Sequence, residues 1–150
     1  MNELFSGIQK FFTEDGWDYL QLENAPILHM TYNGKNGKWT CNAKVHEEQQ
    51  IFFFYSVCPV NVPENKRILL AEFLTRANYG LKVGNFEMDF SDGEIQYKTS
   101  IDVENDRLSN AIIRNLVYAN LWIMDHYLPG ILSVIYGDVT PVEAIQKLES

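Results

Sequence analysis

Residues 39–59, WTCNAKVHEEQQIFFFYSVCP, decide the fold. The polar residues 47–49 predict a hairpin turn between two strands. The strand after the turn, residues 51–59, is apolar on both faces, which is typical of a central strand covered on both sides. One cover would be helices of the same chain, and the other could be a second subunit. The strand before the turn alternates and predicts one buried face, formed by Trp39, Cys41, Ala43 and Val45.

Upstream of this hairpin, the pattern predicts one helix and two short strands. Apolar residues at helical spacing predict a helix over residues 2–13. Strand patterns follow over residues 17–22 and 27–32. Two Asn-Gly pairs within residues 33–37 then predict a tight reversal, on the reasoning that both residue types accept the positive φ angles of such turns.

Downstream, the pattern predicts a helix, a second hairpin and two further helices. Pro63 opens the first helix, and Asp92-Gly93 between two alternating segments is a strong hairpin signal. Ser109 is a predicted N-cap for a long helix that Pro129 should kink or end. A capping box at residues 140–143 begins the last helix. The buried stripe of the first of these helices is expected to comprise Leu69, Leu70, Phe73, Leu74 and Ala77.

The predicted order is therefore α-ββββ-α-ββ-α-α, an α+β fold with an antiparallel β-sheet flanked by helices. The chain has 150 residues without an internal repeat or a Pro/Gly/Ser-rich linker, so residues 1–150 are expected to form a single domain.

The charge balance excludes two classes of partner. Asp and Glu total 20 against 12 Lys and Arg, a formal net charge of −8. Because no Lys/Arg stripe offsets this charge, neither nucleic acid nor an anionic membrane surface is expected to bind. No run of 18 apolar residues and no signal-peptide pattern is present, which predicts a cytoplasmic protein.

The residues that could carry chemistry form no catalytic or metal-binding pattern. Cys41 and Cys58 lack metal-ligand spacing; we expect two buried thiols near opposite positions on paired strands, with a redox pair as the alternative. None of the histidines, His29, His46 or His126, has a second histidine at the i+4 spacing of a metal site. The sequence therefore predicts no enzyme, no metal and no cofactor.

The acidic residues near the second hairpin also favour a structural role. Asp89 and Asp92 lie at a predicted hairpin tip, where solvent should leave their pKa values ordinary. The rival hypothesis is a small-molecule-binding sensor or an uncharacterised enzyme that uses a cleft between sheet and helices. A deep polar pocket that contains Asp89, His29 or His126 with a shifted pKa would favour that hypothesis.

Apolar surface that the chain itself does not cover favours an interface. The doubly apolar strand supplies three candidate interaction residues, and the long helix supplies a fourth. The candidates for contact with a second copy or a protein client are Phe53, Tyr55, Val57 and Trp122.

Several segments carry a family resemblance. Residues 74–81 (LTRANYGL), 84–89 (GNFEMD) and 92–97 (DGEIQY), followed by residues 127–129 (YLP), 134–137 (VIYG) and 141–145 (PVEAI), resemble the signature of the YbjN family, and above all its cyanobacterial members. The resemblance implies a fold similar to type III secretion chaperones, which are small, acidic, usually dimeric proteins that hold client segments on apolar surface. It therefore implies a non-enzymatic protein-interaction module, chaperone-like or regulatory, that forms a homodimer.

Overall fold

The computed structural model describes residues 3–150, so residue 2 of the predicted first helix lies outside the described part. The predicted order of helices and strands is confirmed. In chain order the elements are α1 (Glu3–Glu14), β1 (Tyr19–Gln21), β2 (Ile27–Asn33), β3 (Lys38–His46), β4 (Ile51–Val57), one 3₁₀ turn (Glu64–Lys66), α2 (Arg67–Gly80), β5 (Asn85–Met88), β6 (Ile95–Asp102), α3 (Asn110–Tyr136) and α4 (Pro141–Glu149).

The six strands form one antiparallel sheet in the order β1-β2-β3-β4-β6-β5. The predicted central strand, β4, lies between β3 and β6. Side chains of successive strand residues point to opposite faces, and one face, here called the inner face, carries the hydrophobic core. Residues of α1, α2 and α3 pack on that face against β3, β5, β4 and β6.

The opposite face of the sheet, here called the outer face, has no helix over it among residues 3–150. Every outer-face residue of β2 to β6 is half-buried or exposed, whereas the inner-face residues of β3 and β4 are buried. The expected second cover of β4 is thus not supplied by the described chain. On β4 the inner face carries Phe52, Phe54 and Ser56, and the outer face carries Ile51, Phe53, Tyr55 and Val57.

A buried amide fixes α3 on the inner face. Asn120 is fully buried, and its Nδ2 donates to the Phe54 carbonyl (2.8 Å), the Tyr97 carbonyl (3.0 Å) and Thr99 Oγ1 (3.3 Å). Thr99 Oγ1 in turn donates to the carbonyl of Leu116 at 3.0 Å. The Oδ1 atom of Asn120 has no hydrogen-bond partner among the described residues. Because carbonyl oxygens only accept hydrogen bonds, the Asn120 amide must be oriented with its nitrogen toward the strand carbonyls.

The reversal between β2 and β3 is confirmed, but the predicted reason for its glycines is wrong. Neither Gly34 nor Gly37 has a positive φ. Instead, the turn packs against α3: a Cβ on Gly34 would lie 2.6 Å from Asp125 Oδ1, and one on Gly37 would lie 2.6 Å from Leu128 Cδ2. The Asp125 carboxylate accepts hydrogen bonds from the backbone N–H groups of Lys35 (2.9 Å) and Asn36 (2.7 Å).

The predicted helix signals are mostly confirmed. Ser109 caps α3 by accepting from the N–H of Ile112, and Thr140 with Glu143 forms the capping box of α4. Pro129 does not end α3, which continues to residue 136. Leu69 is exposed, because the stripe that α2 buries is narrower than expected and comprises Leu70, Phe73, Leu74 and Ala77.

The hydrogen bonds from Asn120 to the strands, here called the Asn120 clamp, give a stability prediction. Asn120→Asp would bury a carboxylate against carbonyl oxygens, which we expect to lower the free energy of unfolding by about 3 kcal/mol or more. Urea denaturation measures this loss, which should shrink at acidic pH because a buried carboxyl has a raised pKa and protonates. The control Asn115→Asp, on the exposed side of the same helix, should change the unfolding free energy by less than about 0.5 kcal/mol. Equal effects of the two substitutions would contradict the clamp.

Candidate protein-interaction surface

Three of the four candidate interaction residues lie together on the outer face. Phe53, Tyr55 and Val57 alternate along β4, and we call them the outer strip. The rings of Phe53 and Tyr55 stack with centroids 5.9 Å apart and planes 9° from parallel. All three side chains are half-buried. Because β4 is central, the outer strip crosses the middle of the open face.

Lysines border the outer strip on both sides. Lys44 of β3 is the register partner of Phe53, and Lys98 of β6 is the register partner of Tyr55. Lys98 Nζ binds Glu87 Oε2 at 3.0 Å. Burial alone would raise the pKa of Glu87, but hydrogen bonds from Lys98 and Gln96 outweigh it and hold this pKa below its usual value. Glu87 is therefore a carboxylate at neutral pH.

The fourth candidate, Trp122, lies elsewhere. It projects from α3, a helix of the inner face, and it is 62% exposed. Its ring stacks on His126 with centroids 4.8 Å apart. Trp122 lines an apolar groove of about 360 Å³ with the loop after α2; the other lining residues are Gly80, Leu81, Lys82, Val83, Ala119 and Ile123. The structure thus places Trp122 and the outer strip on different surfaces.

The residues that would favour a chemical site each have a structural partner. His29 Nδ1 lies 2.9 Å from Asn42 Oδ1, and His126 Nε2 lies 3.0 Å from the Leu148 carbonyl. Asp89 is exposed and accepts from the side chain and backbone of Ser91, which lower its pKa. The expectation of an ordinary pKa for Asp89 is therefore wrong, and the shift is opposite to that of a general acid. Residues 3–150 contain no group of three or more His, Cys, Asp or Glu that could hold a metal ion.

The sequence did not reveal a cleft of about 820 Å³ at the β1 edge of the sheet. Trp17 stacks on Tyr32 at 5.8 Å in its wall. Asp15 Oδ2 accepts from Trp17 Nε1 at 3.0 Å and from the Tyr118 hydroxyl at 2.6 Å. This carboxylate thus ties two aromatic side chains together. Local patterns could not show the cluster, because Tyr118 comes from α3, 103 residues after Asp15. The cleft also includes His29.

Both cysteines are buried and free. Cys41 is the register partner of Ser56, two residues before Cys58, so the expected proximity along paired strands is confirmed. Burial raises the pKa of Cys41 to about 12 and that of Cys58 to about 11. Both groups are thiols at neutral pH, which suits packing and opposes nucleophilic chemistry.

No helix within residues 3–150 has the length and apolar character needed to cross a bilayer.

The model of the YbjN family, described as "Putative bacterial sensory transduction regulator", matches residues 6–132. No curated protein matches the chain.

Three solved structures share the fold. YbjN from E. coli has a TM-score of 0.54 at 12% identity, covering 89% of each chain. The Yersinia pestis type III secretion chaperone SycH, in complex with a stable fragment of YscM2, has a TM-score of 0.54 at 13% identity, covering 83% of this chain and 98% of that one. The HopA1–SchA chaperone–effector complex has a TM-score of 0.51 at 17% identity, covering 80% and 89%. The α+β fold is therefore that of type III secretion chaperones.

The buried cysteines give a second prediction. At pH 8 a thiol of pKa near 11 is thiolate in only about one molecule in a thousand, so both cysteines should react slowly with Ellman's reagent. Unfolding in urea should release two rapidly reacting thiols. Fast reaction of the native protein, or a Cys41–Cys58 disulfide under reducing conditions, would contradict the packing role.

Proposed function

This chain belongs to the YbjN family, and we propose that it is a non-enzymatic module that binds a protein partner in a chaperone-like or regulatory role. The observation that carries the proposal is the outer strip: a stacked Phe53–Tyr55 pair in the middle of a sheet face that no described helix covers. Aromatic side chains at the centre of an open patch are typical of residues that dominate binding energy at protein interfaces.

The fold comparison supports the same class of function. SycH was solved with a stable fragment of YscM2, and the HopA1–SchA structure is that of a chaperone–effector complex. The side chains that the rival hypothesis would use, Asp89, His29 and His126, each bind structural partners. We accordingly propose that the chain acts through its surface, and that the cytoplasm is its location; free, buried cysteines accord with a reducing compartment.

We further propose that the chain forms a homodimer. Two surfaces could hold the second copy: the outer strip, whose apolar side chains are half-buried, and the groove beside Trp122, where Trp122 and Val83 are exposed. A partner protein would then use whichever surface the second copy leaves open. The cyanobacterial likeness stays a prediction from the sequence.

A small-molecule sensor is the second candidate function, and the cleft at the β1 edge favours it. The cleft is open to solvent, and its lining combines the aromatic side chains of Trp17, Tyr32 and Tyr118 with His29. A thermal-shift screen with metabolites and divalent metal ions tests this candidate. A ligand that raises the melting temperature of the wild-type protein, but not of the variant Tyr118→Ala, would favour the sensor over the interaction module.

Paired substitutions test the two surfaces. Phe53→Glu places a carboxylate opposite Lys44, where it can be paired, so the fold should tolerate it. Trp122→Glu makes the same change on an exposed site of α3. Light scattering should show a wild-type dimer that one of the two variants converts to monomer. Pull-down from a source lysate should show a co-purifying protein that is lost with Phe53→Glu.

Circular dichroism must show native helix and strand content in both variants. A monomeric wild-type protein would contradict the homodimer. Retention of every partner by the folded Phe53→Glu variant would contradict the outer strip as the binding surface.

A further inference from the structure

The outer face differs in charge from the rest of the molecule. Its strand residues include three lysines and two carboxylates, a formal charge of +1. The whole chain carries −8, which leaves −9 on all other residues. The charged residues of the outer face are Lys38, Lys44, Lys98, Glu87 and Asp102.

The cations of the outer face are not equivalent. Lys98 is bound by Glu87 at 3.0 Å. Lys44 is exposed and forms no salt bridge among the described residues. Register places Lys44 directly across from Phe53, and paired side chains on one face of antiparallel strands lie within about 5.5 Å at Cβ. An unpaired ammonium group therefore adjoins the apolar end of the outer strip.

We propose that the outer face binds an acidic, amphipathic protein segment, with apolar side chains on the outer strip and a carboxylate on Lys44. This inference rests on the proposed function and names the chemistry of its partner. Two outer faces in contact would bring two surfaces of formal charge +1 together, whereas an acidic segment brings the opposite charge, which disfavours a second copy at this site. Nucleic acid is disfavoured because the face has no arginine and the molecule as a whole repels phosphate.

The predicted preference for an acidic peptide is the opposite of what the net negative charge of the whole molecule would favour. Peptides of opposite charge therefore test it directly. The probes are fluorescein-labelled 12-residue peptides of alternating Glu and Leu or alternating Lys and Leu, with a 12-nucleotide single-stranded RNA as a third arm. Fluorescence anisotropy with the full-length protein measures each affinity. We expect the Glu/Leu peptide to bind about tenfold more tightly than the Lys/Leu peptide, and its affinity to fall as salt rises.

A charge-matched pair of variants locates the site. Lys44→Glu should weaken Glu/Leu binding by about tenfold or more, since a carboxylate would then face a carboxylate. Lys10→Glu changes the net charge equally but lies on α1, where Lys10 forms an exposed pair with Glu14, and it should weaken binding less than twofold.

The proposal is overturned if the Lys/Leu peptide or the RNA binds more tightly than the Glu/Leu peptide, or if none binds. Equal effects of Lys44→Glu and Lys10→Glu also overturn it, because long-range charge alone would then explain binding. A dimer that Phe53→Glu disrupts would assign the outer strip to a second copy and would overturn the inference while leaving the proposed protein-binding function intact. If no peptide binds and no partner protein depends on Phe53, both the inference and the proposed protein-binding function are overturned.

Discussion

The hydrogen bonds from Asn120 to the carbonyl groups of Phe54 and Tyr97 hold the long helix α3 on the two central strands. An apolar side chain could pack at this point, but it could not donate hydrogen bonds to carbonyl groups of both strands. With α3 fixed there, Asp125 on the same helix binds the β2–β3 turn, and α4 packs beside α3. No helix among residues 3–150 covers the other face of the sheet, and the proposed function uses that face.

The outer strip and the lysines beside it can contact a partner only because the helices pack on one face of the sheet. Phe53 and Tyr55 would be ordinary core residues in a sheet covered twice. Lys44 and Lys98 would then be buried charges that require partners. On an open face the same residues form an apolar strip with cations at its edges, in a chain of net charge −8. The two chaperone structures, at 13% and 17% identity, share the fold, and the proposed function depends on these side chains.

The sequence predicted what depends on local periodicity. Alternation from Trp39 to Val45 gave β3, the doubly apolar stretch gave central β4, and the caps Ser109 and Thr140 gave the starts of α3 and α4. Local periodicity could not predict long-range contacts. The reason for Gly34 and Gly37 lies in Asp125 and Leu128 on a helix about 90 residues away. Likewise, the four candidate interaction residues could be chosen by type, but only packing showed that Trp122 lies apart from the other three.

The central claim, that binding uses the outer face, is tested most directly by lysine footprinting of the wild-type protein. Acetylation of each lysine, followed by mass spectrometry, is compared between the protein in source lysate and the purified, diluted protein. The account predicts that Lys44 is protected in the lysate, while Lys10 and Lys147 on the helical side react equally in both samples. Protection of the helical-side lysines with Lys44 unchanged would contradict it.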